Sequence, residues 1–222
     1  MAIDVNDDVD GAAEGVDEDE LGLDARPTRD SRAFAVAVVA LASVGLLAAF
    51  VLTIERLALI ADPSYVPSCS FNPILTCTSV MTSPQAALFG FPNPLIGVMT
   101  FPVVIATGAA LLAGARLARW YWLGLQAGVT LAVVFIHWLI VSSLYSIGAL
   151  CPYCMVVWAV TIPLFVIVTE RNLRLLPSDV DSPWARAGRW VQGYRTPILV
   201  LWFLLVIGAI AVRFWDFWIT LF

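Results

Sequence analysis

The sequence predicts an all-α integral membrane protein: a four-helix transmembrane bundle plus a fifth transmembrane helix. Composition is the first sign, with 60% of the 222 residues hydrophobic and 13% charged. A soluble domain carries roughly a quarter charged residues, so an ordinary cytosolic protein is excluded. Apolar run length is the second. A bilayer core about 30 Å thick needs about 20 apolar helical residues, and the stretches 33–54, 94–115, 120–142, 152–169 and 197–215 meet that need. The third is the placement of arginine, in a chain that has no lysine.

Taken in order, residues 1–32 read as a disordered acidic cytoplasmic tail. Residues 1–30 hold 11 of the 17 acids, and so polar a segment buries too little apolar surface to fold. The net charge of -5 therefore belongs to the tail; the nine arginines and six acids of residues 33–222 leave that part at +3. No basic stretch suggests nucleic acid. The first apolar run is too long, and too far behind its acidic leader, for a cleaved signal peptide. Residues 33–170 form the expected core, with a cysteine-bearing outer loop at 55–93. Its fourth span is short and carries Pro163, so a kink or a shallow crossing is expected there. Residues 171–195 alternate Trp184, Trp190 and Tyr194 with arginines, which suits a cytoplasmic loop lying along the headgroups. Residues 196–222 give the fifth span and a short outer tail.

Arg26, Arg29, Arg32, Arg116, Arg119 and the five arginines of 171–195 stand against Arg56 and Arg213, ten to two. The positive-inside rule puts the ten in the cytoplasm. The expected protein is a multi-pass plasma-membrane protein with its N-terminus inside and residues 55–93, 143–151 and the C-terminus outside.

Cys69, Cys77, Cys151 and Cys154 all fall on that outer side, where disulfides are made and persist. Sequence proximity favours Cys69 with Cys77 and Cys151 with Cys154. Cys151-Pro152-Tyr153-Cys154 opens a helix with proline at a tolerated position. The positive helix N-terminus stabilises a thiolate there, and Cys154 lies about 4.5 Å deeper. In an unbroken helix Cys69 and Cys77 would stand about 12 Å apart, beyond the roughly 4.4–6.8 Å between Cα atoms of a disulfide. Asn72-Pro73 can turn the chain and let them meet. Such a loop pair beside a C-x-x-C suits exchange through mixed disulfides. The other readings are structural disulfides in a non-catalytic membrane scaffold, and zinc, although Cys69-x7-Cys77 is wider than the usual finger spacing. Haem attachment fails because Met155 follows Cys154.

Over residues 34–170 the chain resembles the vitamin K epoxide reductase family, its bacterial members above all. Four core helices, the loop Cys-x7-Cys, the C-x-x-C at the start of the fourth span, Ser83 six residues after Cys77, and Asn93 in Asn93-Pro94-Leu95-Ile96-Gly97 carry the resemblance. It implies a quinone-dependent membrane thiol oxidase that regenerates the disulfide of a secreted thioredoxin-like protein. Cys69, Cys77, Cys151 and Cys154 would be catalytic, and Asn93, Ser83 and Trp158 would bind a menaquinone- or ubiquinone-type acceptor, with no metal. Many bacterial members carry the thioredoxin domain after a fifth span; here a separate secreted or membrane-anchored partner is expected. Trp158 stands where animal members place a tyrosine, so plain quinone is expected rather than the epoxide, whose reduction is the alternative.

Other residues have plainer readings beside the functional ones. His137 in the third span is expected as a neutral histidine hydrogen-bonded between helices. Asp62 reads as a solvated loop acid before a base or gate. Ser83 and Asn93 would also serve as helix caps. Trp120, Trp122, Trp215 and Trp218 fit interfacial belts, leaving Trp158 and Phe101 to line a quinone pocket.

Overall fold

The computed structural model describes residues 29–174 and 183–221. The expectations for the acidic tail fall almost wholly outside the described residues, as do those for 175–182. Among the described residues the α-helices are α1 Arg29–Ala61, α2 Cys77–Thr82, α3 Pro94–Leu112, α4 Arg119–Val141, α5 Pro152–Arg174, α6 Pro183–Arg213 and α7 Trp215–Leu221. Five helical stretches are long and apolar enough to cross a membrane. The protein is an all-α, multi-pass membrane protein.

α1 continues past Ile54, where the apolar run stops, to Ala61. Charge does not end a helix, and Glu55, Arg56, Leu57 and Ala58 are good helix formers. Asp62-Pro63 ends it, because proline drives the preceding residue out of the helical region. Ala35, Val38, Ala42, Ala49 and Leu52 are buried along one face. That face packs on α3 and α5, and α4 also packs on α5. Small residues set the closeness of α1 and α3, as is usual between helices in lipid. A Cβ on Gly45 would stand 2.4 Å from Phe101 Cζ, and one on Gly97 would stand 2.7 Å from Ala49 Cβ.

The short fourth span is corrected. α5 is helical at every residue from Pro152 to Arg174, Pro163 included, about 34 Å at 1.5 Å per residue. Its polar last turns continue the helix because they have partners. Glu170, buried, pairs with Arg174 of its own helix and Arg195 of α6. Asn172 donates to Gln126 Oε1 at 3.0 Å, and Gln126 donates to Thr169 Oγ1 at 2.9 Å. Arg171 lies over the Trp122 ring, 3.3 Å from its centroid. That contact removes Trp122 from the expected interfacial belt: it is a core residue, buried under a cation and tilted against Phe34. Trp120 and Trp215 are exposed; the Trp218 side chain lies outside the described residues.

α6 has one non-helical residue, Tyr194, at φ -116° and ψ 15°. The kink separates 183–193 from the apolar stretch that packs on α5. The side chains of Trp184 and Trp190 lie outside the described residues. At the far end of α6, Arg213 Nε donates to Leu144 O at 2.9 Å.

Candidate thiol-disulfide site and adjoining cavity

Loop 62–76 is held down by side chains at its start. Asp62 Oδ1 accepts from Ser64 N at 2.9 Å and from Ser64 Oγ at 2.7 Å, and that hydroxyl, then that N–H, holds its carboxyl below the usual range. Asp62 is a solvent-exposed turn former. Glu55, buried on α1, accepts from Tyr65 Oη at 2.9 Å and Ser68 Oγ at 2.5 Å. It pins the chain one residue before Cys69. Asn72 Oδ1 then accepts from Ile74 N at 3.0 Å and Leu75 N at 2.7 Å, closing a turn around Pro73. Cys77 returns beside Cys69, 5.6 Å between Cα atoms, and the two are joined in a disulfide.

α4 ends in a π-helical turn, Ser142–Ile147, a feature frequent at functional sites. Gly148 stops it at φ 68°, a left-handed conformation that glycine adopts without strain. The released chain pairs Leu150 in parallel with Leu75. Leu150 N donates to Ile74 O at 2.7 Å, and Thr76 N donates to Leu150 O at 2.9 Å. Cys77 and Cys151 each follow within two residues of that bridge, so they emerge side by side. Cys77 Sγ is 3.1 Å from Cys151 Sγ, and the sulfurs of Cys69, Cys77 and Cys151 all lie within 4.8 Å of one another. With exposures of 2, 0 and 1%, this cluster excludes bulk water.

Cys151 carries the first helical acceptor of α5, since Met155 N donates to Cys151 O at 3.0 Å. Cys151 and Cys154 are free thiols. The neighbouring Cys154 thiol is the main cause that lowers Cys151's pKa. Backbone N–H groups of Cys154 and Tyr153 add to the effect while burial opposes it. A lowered thiol pKa beside a disulfide sulfur is the condition for exchange.

Cys154 lines a cavity of about 160 Å³ bounded chiefly by α1, α3, α4 and α5. Its walls are mainly apolar, from Leu52, Phe101, Phe135, Ile136 and Trp158, and Trp158 is 3% exposed. Asn93 and Ser83 also line it. Neither side chain N-caps the helix that follows it. Asn93 Nδ2 donates to Gln85 O at 2.7 Å and Asn93 Oδ1 accepts from Leu88 N at 3.2 Å, while Ser83 Oγ donates to Val80 O at 2.7 Å. The amide keeps a second N–H, since it carries two donors. An apolar chamber with a few polar groups and a thiol in its wall fits a quinone headgroup. Sequence reasoning missed Arg56, which lines the chamber, and Glu55. Both lie beyond the end of the first apolar run, where the sequence reads as loop, although an ionisable residue at the edge of an apolar helix is itself a signal.

Comparison with curated proteins gives no match. The vitamin K epoxide reductase family profile matches residues 36–169, more than half of the chain and the segment that holds all four cysteines, Ser83, Asn93 and Trp158. Members of that family are oxidoreductases that use quinones. The sulfur cluster, the bundle and the family match agree, and the chain belongs to the vitamin K epoxide reductase family.

Proposed function

We propose that the protein oxidises the dithiol of a thioredoxin-fold partner outside the plasma membrane and passes the electrons through its two cysteine pairs to a membrane quinone of the menaquinone or ubiquinone type. The observation that carries this reading is the 3.1 Å approach of Cys77 Sγ to Cys151 Sγ, with Cys154 in the wall of the apolar chamber. A separation near 3 Å is a near-attack distance.

The partner's thiolate attacks the Cys69–Cys77 disulfide and leaves with its own disulfide closed, so both loop thiols are reduced. Cys77, the loop sulfur against Cys151, then attacks an oxidised Cys151–Cys154 pair at Cys151 and frees the Cys154 thiolate into the chamber. Cys69 displaces Cys151 from Cys77, restoring the loop disulfide. The result is a loop disulfide beside a reduced C-x-x-C, the same arrangement as the bonded Cys69–Cys77 pair and the free Cys151 and Cys154. A bound quinone supplies an acceptor for two electrons and two protons. Cys151 and Cys154 release both as their disulfide closes; Trp158 and Phe101 keep water out, and the spare Asn93 N–H orients the headgroup.

A scaffold with structural disulfides is less well supported, because two reduced thiols stand beside the loop bridge. The test is dithiothreitol-dependent reduction of a short-chain quinone by the purified protein. Activity abolished by Cys151→Ser or Cys154→Ser supports the reading, and quinone reduction indifferent to both substitutions overturns it. Supplying vitamin K epoxide in place of quinone separates the two acceptors.

A further inference from the structure

Arg56 is the charged side chain among the residues that line the chamber. Its Nε is buried without a hydrogen-bond partner, and no carboxylate pairs with it among the described residues. The neighbouring acid is committed elsewhere, since Glu55 accepts from Tyr65 and Ser68. Two hydroxyls of the wall are occupied by their own helices: Thr100 donates to Ile96 O at 2.8 Å and Thr161 to Val157 O at 2.7 Å. A guanidinium facing an apolar wall with a free buried donor is costly unless something completes it. Ala49, Leu52 and Arg56 follow one face of α1 at helical spacing, so the cation stands at the cysteine end of the chamber, in the wall that Cys154 also joins.

We infer that Arg56 is a catalytic residue that donates a hydrogen bond to an oxygen of the bound quinone headgroup. The inference rests on the proposed quinone reading of the chamber. The Cys151–Cys154 dithiol loses two electrons and two protons as it closes, the count that separates a quinone from its quinol. Both protons come from the dithiol, so Arg56 transfers none. Its part is to stabilise negative charge gathering on the oxygen before the protons arrive, an effect strongest where water is excluded.

Two measurements test it on the full-length protein. The first is steady-state quinone reduction with dithiothreitol as donor. Arg56→Met, which keeps side-chain length and loses the charge, lowers kcat/KM for a short-chain benzoquinone by about tenfold or more, the scale of a lost charge-assisted hydrogen bond. Arg56→Lys recovers part of the loss. Parental kinetics in a folded Arg56→Met protein overturn the inference. The second needs no variant. Phenylglyoxal modification, followed by peptide mass spectrometry, is slowed at Arg56 by saturating quinone but not at Arg213, whose Nε is held by Leu144 O. Equal modification of Arg56 with and without quinone overturns the inference even where Arg56→Met does not fold. Cys154→Ser separates this failure from that of the site. If Cys154→Ser still reduces quinone at the parental rate, the chamber reading falls and takes Arg56 with it. If Cys154→Ser is inactive while Arg56 is unprotected, the role of Arg56 alone falls.

Discussion

Trp202 of α6 donates its indole N–H to His137 Nε2 of α4 across 2.9 Å. Indole nitrogen is a donor only, so Nε2 must accept. His137 Nδ1 then donates to Val133 O at 2.7 Å, which fixes the neutral tautomer. The lone histidine is thereby a link between the fifth helix and the bundle, with its ring edge-on to the indole. Removing the link should loosen α6 without touching the cysteines. Trp202→Phe is expected to cost roughly 0.5–1.5 kcal/mol, measured by unfolding in mixed micelles. Quinone reduction should persist in the folded fraction. A cost as large in a protein already lacking His137 would show that the indole acts through packing alone.

The sulfur geometry predicts which loop cysteine exchanges with the C-x-x-C pair. In Cys154→Ser, the Cys151 thiolate attacks Cys77, 3.1 Å away, and Cys69 leaves as a thiol. One disulfide replaces another, so no oxidant is consumed. Peptide mapping of alkylated protein should find Cys77 linked to Cys151 and Cys69 alkylated. A predominant link between Cys69 and Cys151 would reverse the order of the relay.

How far this site is legible in the sequence depends on the range of the interactions. The Asn72-Pro73 turn is legible because its chemistry is local: one side-chain oxygen accepts from the two N–H groups that follow. The helix start at Pro152 is legible for the same reason. The approach of Cys77 to Cys151 is not, because it hangs on a single parallel bridge between Leu75 and Leu150, far apart in the chain and without a polar signature. Hydropathy obscures Arg56 and Glu55, because it marks the end of an apolar run rather than the end of a helix. Composition does not distinguish an indole at a headgroup from one beneath an arginine, so Trp122 reads as a belt residue in the sequence and is buried in the fold.

Asn93 carries two loads, and they separate experimentally. Its amide ties together the backbone at Gln85 and Leu88, and under the proposed function its spare N–H meets the quinone. Asn93→Ala should lower stability by roughly 0.5–1.5 kcal/mol for each bond lost and raise the quinone KM several-fold. Asn93→Asp keeps the acceptor for Leu88 N but removes the donor, so its KM should rise as well. Parental KM values in both variants would confine the amide to holding the loop.

Orientation is open to direct labelling, although the native sulfurs are too deeply buried to be good reporters. Val66, 70% exposed in the cysteine loop, and Ala115, exposed at the α3–α4 turn, stand at opposite ends of the bundle. With the arginine-rich end in the cytoplasm, a membrane-impermeant maleimide should label Val66→Cys in intact cells. It should label Ala115→Cys only after permeabilisation. The reverse pattern would place the cysteine pairs inside and remove the secreted partner.

The acidity of Cys151 should depend on its neighbour more than on the helix. The Cys154 thiol is the foremost cause of the lowered pKa, ahead of the α5 backbone N–H groups. Replacing that thiol with a methyl group in Cys154→Ala should therefore move the titration of Cys151 upward, while Cys154→Ser, which keeps a donor, should move it less. Ultraviolet thiolate absorbance reads this directly with the loop disulfide intact. The linkage has a definite sign. A thiol whose folded pKa lies below its unfolded value, about 8.5, contributes stability that is fully present above the unfolded value. The contribution is lost as pH falls through the folded one. Between those two limits the parental protein should gain stability as pH rises, and Cys154→Ala should gain less. If both proteins titrate at the same pH, the Cys154 thiol is not what holds Cys151 ready for Cys77, and the helix N-terminus must do so alone.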